Sequence, residues 1–150
     1  MKNTRVLVLL VVVVILVLMT GCISQPTPTM PIPTINVTMK LLSDDATNIQ
    51  IETNLPTGMH LEATLIGENG NYHAQASADV KNGVVVFRFG GQSGPGSYQL
   101  NVMNPVVEVQ PNSLKDLLGK GSKNLTGDLV KYDAEWEAYF FDYNVNVVMR

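Results

Sequence analysis

Met59-His60-Leu61-Glu62-Ala63-Thr64-Leu65, then Asn69-Gly70, then Tyr72-His73-Ala74-Gln75-Ala76-Ser77-Ala78-Asp79-Val80 carry one unbroken apolar and polar alternation across a turn signal. Period-two alternation is the pattern of strands that bury one face. Asn69-Gly70 marks a two-residue hairpin, because both central residues of a type I′ turn take positive φ. Pairing Glu68 with Asn71 sets Leu65 opposite Ala74, Ala63 opposite Ala76 and Leu61 opposite Ala78 on one face. The other face then pairs Thr64 with Gln75, Glu62 with Ser77 and His60 with Asp79, so polarity agrees at every rung. Asn82-Gly83 is a second turn of the same kind. Its register sets Val80 opposite Val85, Ala78 opposite Phe87 and Ala76 opposite Phe89. The two registers fit either one sheet or a long middle strand that bends between two sheets.

The same alternation extends in both directions. Val37 to Leu41 and Ile49 to Thr53 place apolar side chains mostly at odd positions, the pattern of half-buried strands. A glycine-rich loop, Gly90 to Gly96, precedes a strand in which Tyr98, Leu100 and Val102 alternate with Gln99 and Asn101. Pro111 to Gly119 reads as a short helix with Asn112 or Ser113 as N-cap, acid in the first turn and glycine at its end, bridging two sheets. Leu129 to Tyr132 and then Tyr139, Phe141, Tyr143, Val145 and Val147 supply closing strands. About seven to nine strands and one short helix predict an all-β chain, an immunoglobulin-like antiparallel β-sandwich over residues 36–150.

The 150 residues are 45% hydrophobic and 15% charged, which suits one folded unit. A formal net charge of −3 supplies no basic field for nucleic-acid phosphates, so no nucleic-acid partner is expected. Cys22 is the single cysteine, which excludes an intramolecular disulfide and any zinc site built on paired thiolates. Lys2 and Arg5 precede an uninterrupted apolar run of 14 residues from Val6 to Met19. At about 1.5 Å per residue such a run falls short of a hydrocarbon core about 30 Å thick, so residues 1–21 read as a signal peptide. Residues 22–35 then read as a linker in which Pro26, Pro28, Pro31 and Pro33 favour extended polyproline geometry. Asn36 and Asn124 open glycosylation triplets that matter only in a host with N-glycosylation.

Two resemblances follow from particular residues. Leu18-Met19-Thr20-Gly21-Cys22 resembles the lipobox of prokaryotic lipoproteins, with Met19 where that family usually has an aliphatic residue. The resemblance implies cleavage before Cys22 and lipidation of its sulfur. The chain would then be held at the cell membrane, facing outside the cytoplasm, with 8 basic against 13 acidic side chains. Asn54-Leu55-Pro56-Thr57-Gly58, Tyr72-His73-Ala74-Gln75, Val80-Lys81-Asn82-Gly83, Pro95-Gly96-Ser97-Tyr98 and Leu125-Thr126-Gly127-Asp128-Leu129-Val130 together resemble an immunoglobulin-like domain of uncharacterised prokaryotic surface lipoproteins. That likeness covers most of residues 49 to 130 and implies a fold, with no catalytic residues and no ligand.

The hairpin register brings His60, Asp79 and Glu62 to one outer face, a donor set of the right type for a divalent ion, yet flat sheets seldom converge to the roughly 2 Å ligand distances of zinc. An exposed His60–Asp79 ion pair is the expected outcome. Asp44 and Asp45 beside Thr47 and Asn48 lack the six to eight oxygens that calcium takes. Gly91-Gln92-Ser93-Gly94 has Pro95 where a nucleophile elbow needs glycine, and Gly119-Lys120-Gly121-Ser122 follows a helix instead of starting one. No catalytic residue, cofactor or metal is expected.

Tyr132, Trp136, Tyr139, Phe140, Phe141 and Tyr143 are six of the 10 aromatics, set among Asp128, Asp133, Glu135, Glu137 and Asp142. With odd positions in the core, Trp136, Phe140, Asp142 and Asn144 face the other way. Trp136, Phe140 and Asp142 are therefore the candidate binding residues, suited to an envelope protein or glycan unless the helix or linker covers them. The expected function is a non-catalytic binding or spacer module on a membrane anchor. The alternative is an inhibitor or regulator of a secreted enzyme that presents the loop Gly90 to Gly96.

Overall fold

The structure is a computed structural model that describes residues 33–45, 48–68, 70, 72–90 and 95–149. The expected signal peptide, Cys22 and most of the expected linker lie outside the described residues. Ten strands occur among the described residues: β1 (Ile35–Asn36), β2 (Met39–Asp45), β3 (Asn48–Thr53), β4 (His60–Gly67), β5 (His73–Asp79), β6 (Val84–Phe87), β7 (Gly96–Met103), β8 (Leu125–Thr126), β9 (Val130–Asp133) and β10 (Ala138–Met149). One helix, α1 (Asn112–Leu118), lies between β7 and β8. The folded part already includes Ile35, which pairs with Leu125 where β1 and β8 run parallel.

The strands form a three-stranded sheet, β2-β3-β6, and a five-stranded sheet, β5-β4-β7-β10-β9, with every neighbouring pair antiparallel. Together they make an immunoglobulin-like sandwich. In the usual plan the first, second, fifth and fourth strands share a sheet. Counting from β2, the fourth strand is β5, and it stands on the edge of the opposite sheet beside β4. The core is filled by Ile49 and Ile51 of β3, Val85 and Phe87 of β6, Leu61 and Leu65 of β4, Leu100 and Val102 of β7 and Phe141 of β10, all fully buried.

The first hairpin keeps the predicted register through seven rungs, from His60 opposite Asp79 to Ile66 opposite His73. Its closure differs from the two-residue turn. The Gly67 amide donates to Tyr72 O at 2.8 Å, and the Glu68 amide turns away to Ser97 O on β7. The second hairpin is the expected tight turn, with Asn82 at φ 51° and Gly83 at φ 79°. Its register governs only the bridge Lys81–Val84. Ala78 and Ala76 do not pair with Phe87 and Phe89; β6 leaves for β3, where Phe87 faces Ile49 and Val85 faces Ile51. A turn sets the pairing only at its own base. Beyond it the strand follows the edge that buries its large side chains.

The helix also starts differently from expectation. Asn112 is its first helical residue and Pro111 the residue before it, with no side-chain cap and no acid in the first turn. Proline has no amide hydrogen to satisfy and its fixed φ suits a helix start, so no Asn112 or Ser113 cap is required. Gly119 closes the helix at φ 73°.

Buried or clamped amides finish the ladders where backbone partners run out. Two residues beyond the Glu62–Met103 rung, the β4–β7 register brings Pro105 opposite His60. Proline cannot donate there. The buried Gln110 side chain takes its place, accepting from the His60 amide and donating to His60 O, both at 2.8 Å. Asn104 does the same for β10, its Oδ1 accepting from the Phe141 amide at 2.8 Å one rung beyond Asp142–Met103. Asn54 ties the chain between β1 and β2, accepting from the Thr38 amide and donating to Asn36 O. Asn104→Ala removes the partner of a buried amide and is expected to cost about 1–3 kcal/mol by denaturant unfolding, whereas exposed Asn146→Ala stays within about 0.5 kcal/mol.

Candidate functional site

β10 has twelve residues, and its pairing with β7 begins only at Asp142. Residues Ala138 to Phe141 therefore run past the end of the β7 ladder, paired with β9 through the rungs Ala138–Asp133, Tyr139–Tyr132, Phe140–Lys131 and Phe141–Val130 and tied on the other side by the Asn104 side chain. The result is a projecting hairpin. Its four-residue loop, Ala134 to Glu137, is organised by Asp133, whose Oδ1 accepts from the Glu135 amide at 2.9 Å and the Trp136 amide at 3.2 Å. An aspartate at the first position of a turn offers just this local acceptor. Glu137 completes the turn at φ 48°.

Three aromatic side chains are left open on this hairpin. Trp136 is 64% exposed, Tyr132 56% and Tyr139 36%. The two tyrosine rings are cross-strand partners with centroids 5.1 Å apart and planes inclined by 53°. Asp128, Asp133, Glu135 and Glu137 are all exposed nearby in the sequence. Tyr139 is expected from its odd position to lie in the core, and the structure corrects this. Core-facing direction buries a side chain only where an opposing sheet exists, and the hairpin runs beyond β7.

The structure separates the candidate binding residues. Trp136 belongs to the loop, not to a strand face, and is uncovered. Phe140 and Asp142 share the opposite face of β10 and are half-buried. The Lys131 ammonium donates to Asp142 Oδ2 at 3.0 Å, and Asn144 Nδ2 and Asn101 Nδ2 donate to Oδ1. Burial would raise the Asp142 carboxyl, but these hydrogen bonds and the Lys131 charge outweigh it and hold the group below its ordinary value. Asp142 is thus committed inside the fold, while Tyr132 and Tyr139 join Trp136 as the open surface. Sequence reasoning passes over these two tyrosines because the loop between them carries no glycine, proline or asparagine. Asp133 is the only local signal, and centring a hairpin on it would have paired them.

The other candidate chemistry resolves into structure. His60 Nδ1 lies 2.9 Å from Asp79 Oδ1, the pairing the register predicts, and Glu62 shares a shallow groove with them, Val109, Gln110 and Pro111. Among the described residues no three His, Cys, Asp or Glu side chains converge to hold a metal ion. Asp44 and Asp45 belong to the β2 ladder, opposite Ile49 and Asn48. Gly91 to Gly94 lie outside the described residues. Gly121 packs against the hairpin, and a Cβ there would come within 2.7 Å of Glu137 O, so the Gly119 to Ser122 turn is a support for the loop. Among the described residues no helix is long and apolar enough to cross a membrane. No family model matches the chain, and no curated protein matches it in sequence.

The lowered Asp142 carboxyl has a definite sign. Its contribution to stability is full above its unfolded value of 3.8 and is lost as pH falls through the lower folded value. Melting temperatures measured from about pH 5 down to about pH 2 are therefore expected to fall less steeply for Asp142→Asn than for the parent chain.

Proposed function

We propose that this chain is a lipid-anchored protein of the cell envelope whose immunoglobulin-like sandwich is a non-catalytic binding module, with the β9–β10 hairpin as its contact surface. The anchoring half of this reading is supported by the charged start, the 14-residue apolar run and the lipobox-like Leu18 to Cys22. The proline-rich linker would keep the sandwich away from the bilayer, at about 3.1 Å per residue. The binding half rests on one observation, the projecting hairpin on which Trp136, Tyr132 and Tyr139 remain exposed. Aromatic side chains present large contact area with few rotatable bonds, which is why they anchor recognition surfaces. The surrounding carboxylates accept hydrogen bonds, as a glycan hydroxyl or a polar peptide would supply. An envelope glycan or an envelope protein is the partner class, and the sandwich has the affinities of the immunoglobulin-like domains of prokaryotic surface lipoproteins.

Trp136 is the only tryptophan in the chain, so its emission reports this surface alone. Titrating the domain of residues 33–150 with fractionated envelope glycan and envelope protein is expected to shift or quench that emission at saturable concentration. Tyr132→Ala with Tyr139→Ala should weaken the response. Emission unmoved by every fraction would turn the reading toward a spacer module. The anchor is tested separately: Cys22→Ser is expected to release the chain from the membrane fraction and to abolish incorporation of labelled fatty acid.

A further inference from the structure

Four strands stand last in the two sheets, β2, β6, β9 and β5, and three of them carry devices that keep edges from pairing. β2 has a register shift between Leu41 and Ser43. β6 is four residues long. β9 is also four residues long and includes Lys131. Bulges, short length and edge lysines all discourage strand addition. β5 has none of these. It runs for seven regular residues, His73-Ala74-Gln75-Ala76-Ser77-Ala78-Asp79, without lysine, proline or bulge, and pairs only with β4.

The phase of its hydrogen bonds shows which groups face outward. Tyr72 O accepts from the Gly67 amide and the Val80 amide donates to Met59 O, so even-numbered residues of this strand bond to β4. In an antiparallel ladder the alternate residues point the other way. The amides and carbonyls of His73, Gln75, Ser77 and Asp79 therefore face the open edge, with no backbone partner among the described residues. Ala74, Ala76 and Ala78 face the core side yet are only half-buried, whereas their β4 rung partners Leu61, Ala63 and Leu65 are buried. Among the described residues, neither the outward backbone groups nor the inner face of β5 is covered on that side.

We infer that β5 pairs antiparallel with β5 of a second copy of this chain, on a two-fold axis through Ala76. In that register Gln75 stands opposite the second copy's Ser77 and His73 opposite the second copy's Asp79. All four outward-facing residues of each strand then meet outward-facing residues, as hydrogen-bonded rungs require, giving about eight backbone hydrogen bonds. Shifting the register by one residue would oppose outward-facing with inward-facing groups. The side chains also agree: His73 is exposed and can donate a hydrogen bond, and Asp79 has one oxygen on His60 Nδ1 and its other oxygen unbonded among the described residues. Ala76 meets its own copy at the axis, where a non-hydrogen-bonded rung brings the two Cα atoms to about 4.5 Å. The inner alanines of the two copies then cover one another.

That register is tested by cysteine cross-linking in the full chain, with the parent, which keeps Cys22, as background. A Cα separation of about 4.5 Å is within disulfide range, so Ala76→Cys is expected to give a linked dimer on mild oxidation. Ala74→Cys alone and Ala78→Cys alone should give none beyond background, because each lies about 13 Å from its own copy. Mixing those two variants should restore the linked dimer. Added to Ala76→Cys, Gln75→Lys and Ser77→Pro each guard the edge without touching a β4 bond and should abolish the link while the melting temperature stays within a few degrees. Absence of the Ala76→Cys dimer, equal yields at positions 74 and 76, or persistence through both edge variants would overturn the inference. Trp136→Ala should leave the link unchanged, which separates this contact from the hairpin surface.

Discussion

The β7–β10 ladder is the interaction on which the rest of the molecule depends. Eight consecutive rungs, from Asp142–Met103 to Met149–Gly96, join the C-terminal strand to the middle of the larger sheet. They bring Val147 and Met149 into the core beside Leu100 and Val102. Because β10 is longer than its partner, the same ladder also leaves four residues over, and these become the base of the projecting hairpin. One strand thus serves stability at one end and presentation at the other. The two ends meet at Asn104, whose side chain takes up the Phe141 amide where the backbone ladder stops.

Side-chain amides recur wherever a ladder meets an obstacle. Gln110 stands in for a rung that Pro105 cannot provide, Asn54 ties the backbone of Asn36 and Thr38, and Asn124 donates to Leu117 O in the last turn of α1. Each offers both a donor and an acceptor at the spacing of a peptide group. Buried backbone groups must be paired, so a sandwich with irregular strand ends needs such substitutes. The described residues contain no buried side-chain nitrogen or oxygen without a partner. Between Met103 and Leu125, where regular pairing is interrupted, Asn104, Gln110 and Asn124 supply such partners.

The anchoring reading and the hairpin reading stand on different ground, one on the leader and linker, the other on exposure in the fold. The exposed aromatic side chains of the sandwich, Tyr132, Trp136 and Tyr139, are gathered on one hairpin. The open β5 edge is a separate surface, with small side chains and free backbone groups in place of aromatic rings.

Local pattern was enough for much of the architecture. The alternation of Leu61, Ala63 and Leu65 against Ala74, Ala76 and Ala78 determined the first hairpin rung by rung, because a slip of one residue would turn every side chain to the wrong face. It determined the His60–Asp79 pair by the same rule, and the positive φ at Asn82 and Gly83 by the chemistry of the turn. What followed that second turn was decided by tertiary structure. Val85 and Phe87 suit any apolar face, and only the presence of Ile49 and Ile51 on a free edge chose β3 over β5. The fate of the aromatic cluster was decided in the same way. Parity assigns Tyr139 to the core side as surely as Phe141, but whether a core lies beneath it depends on where β7 ends, a distance set by Pro105 and Asn104 in another part of the chain. Periodicity reports direction, which is local; burial depends on what has been brought opposite, and that only the folded chain supplies.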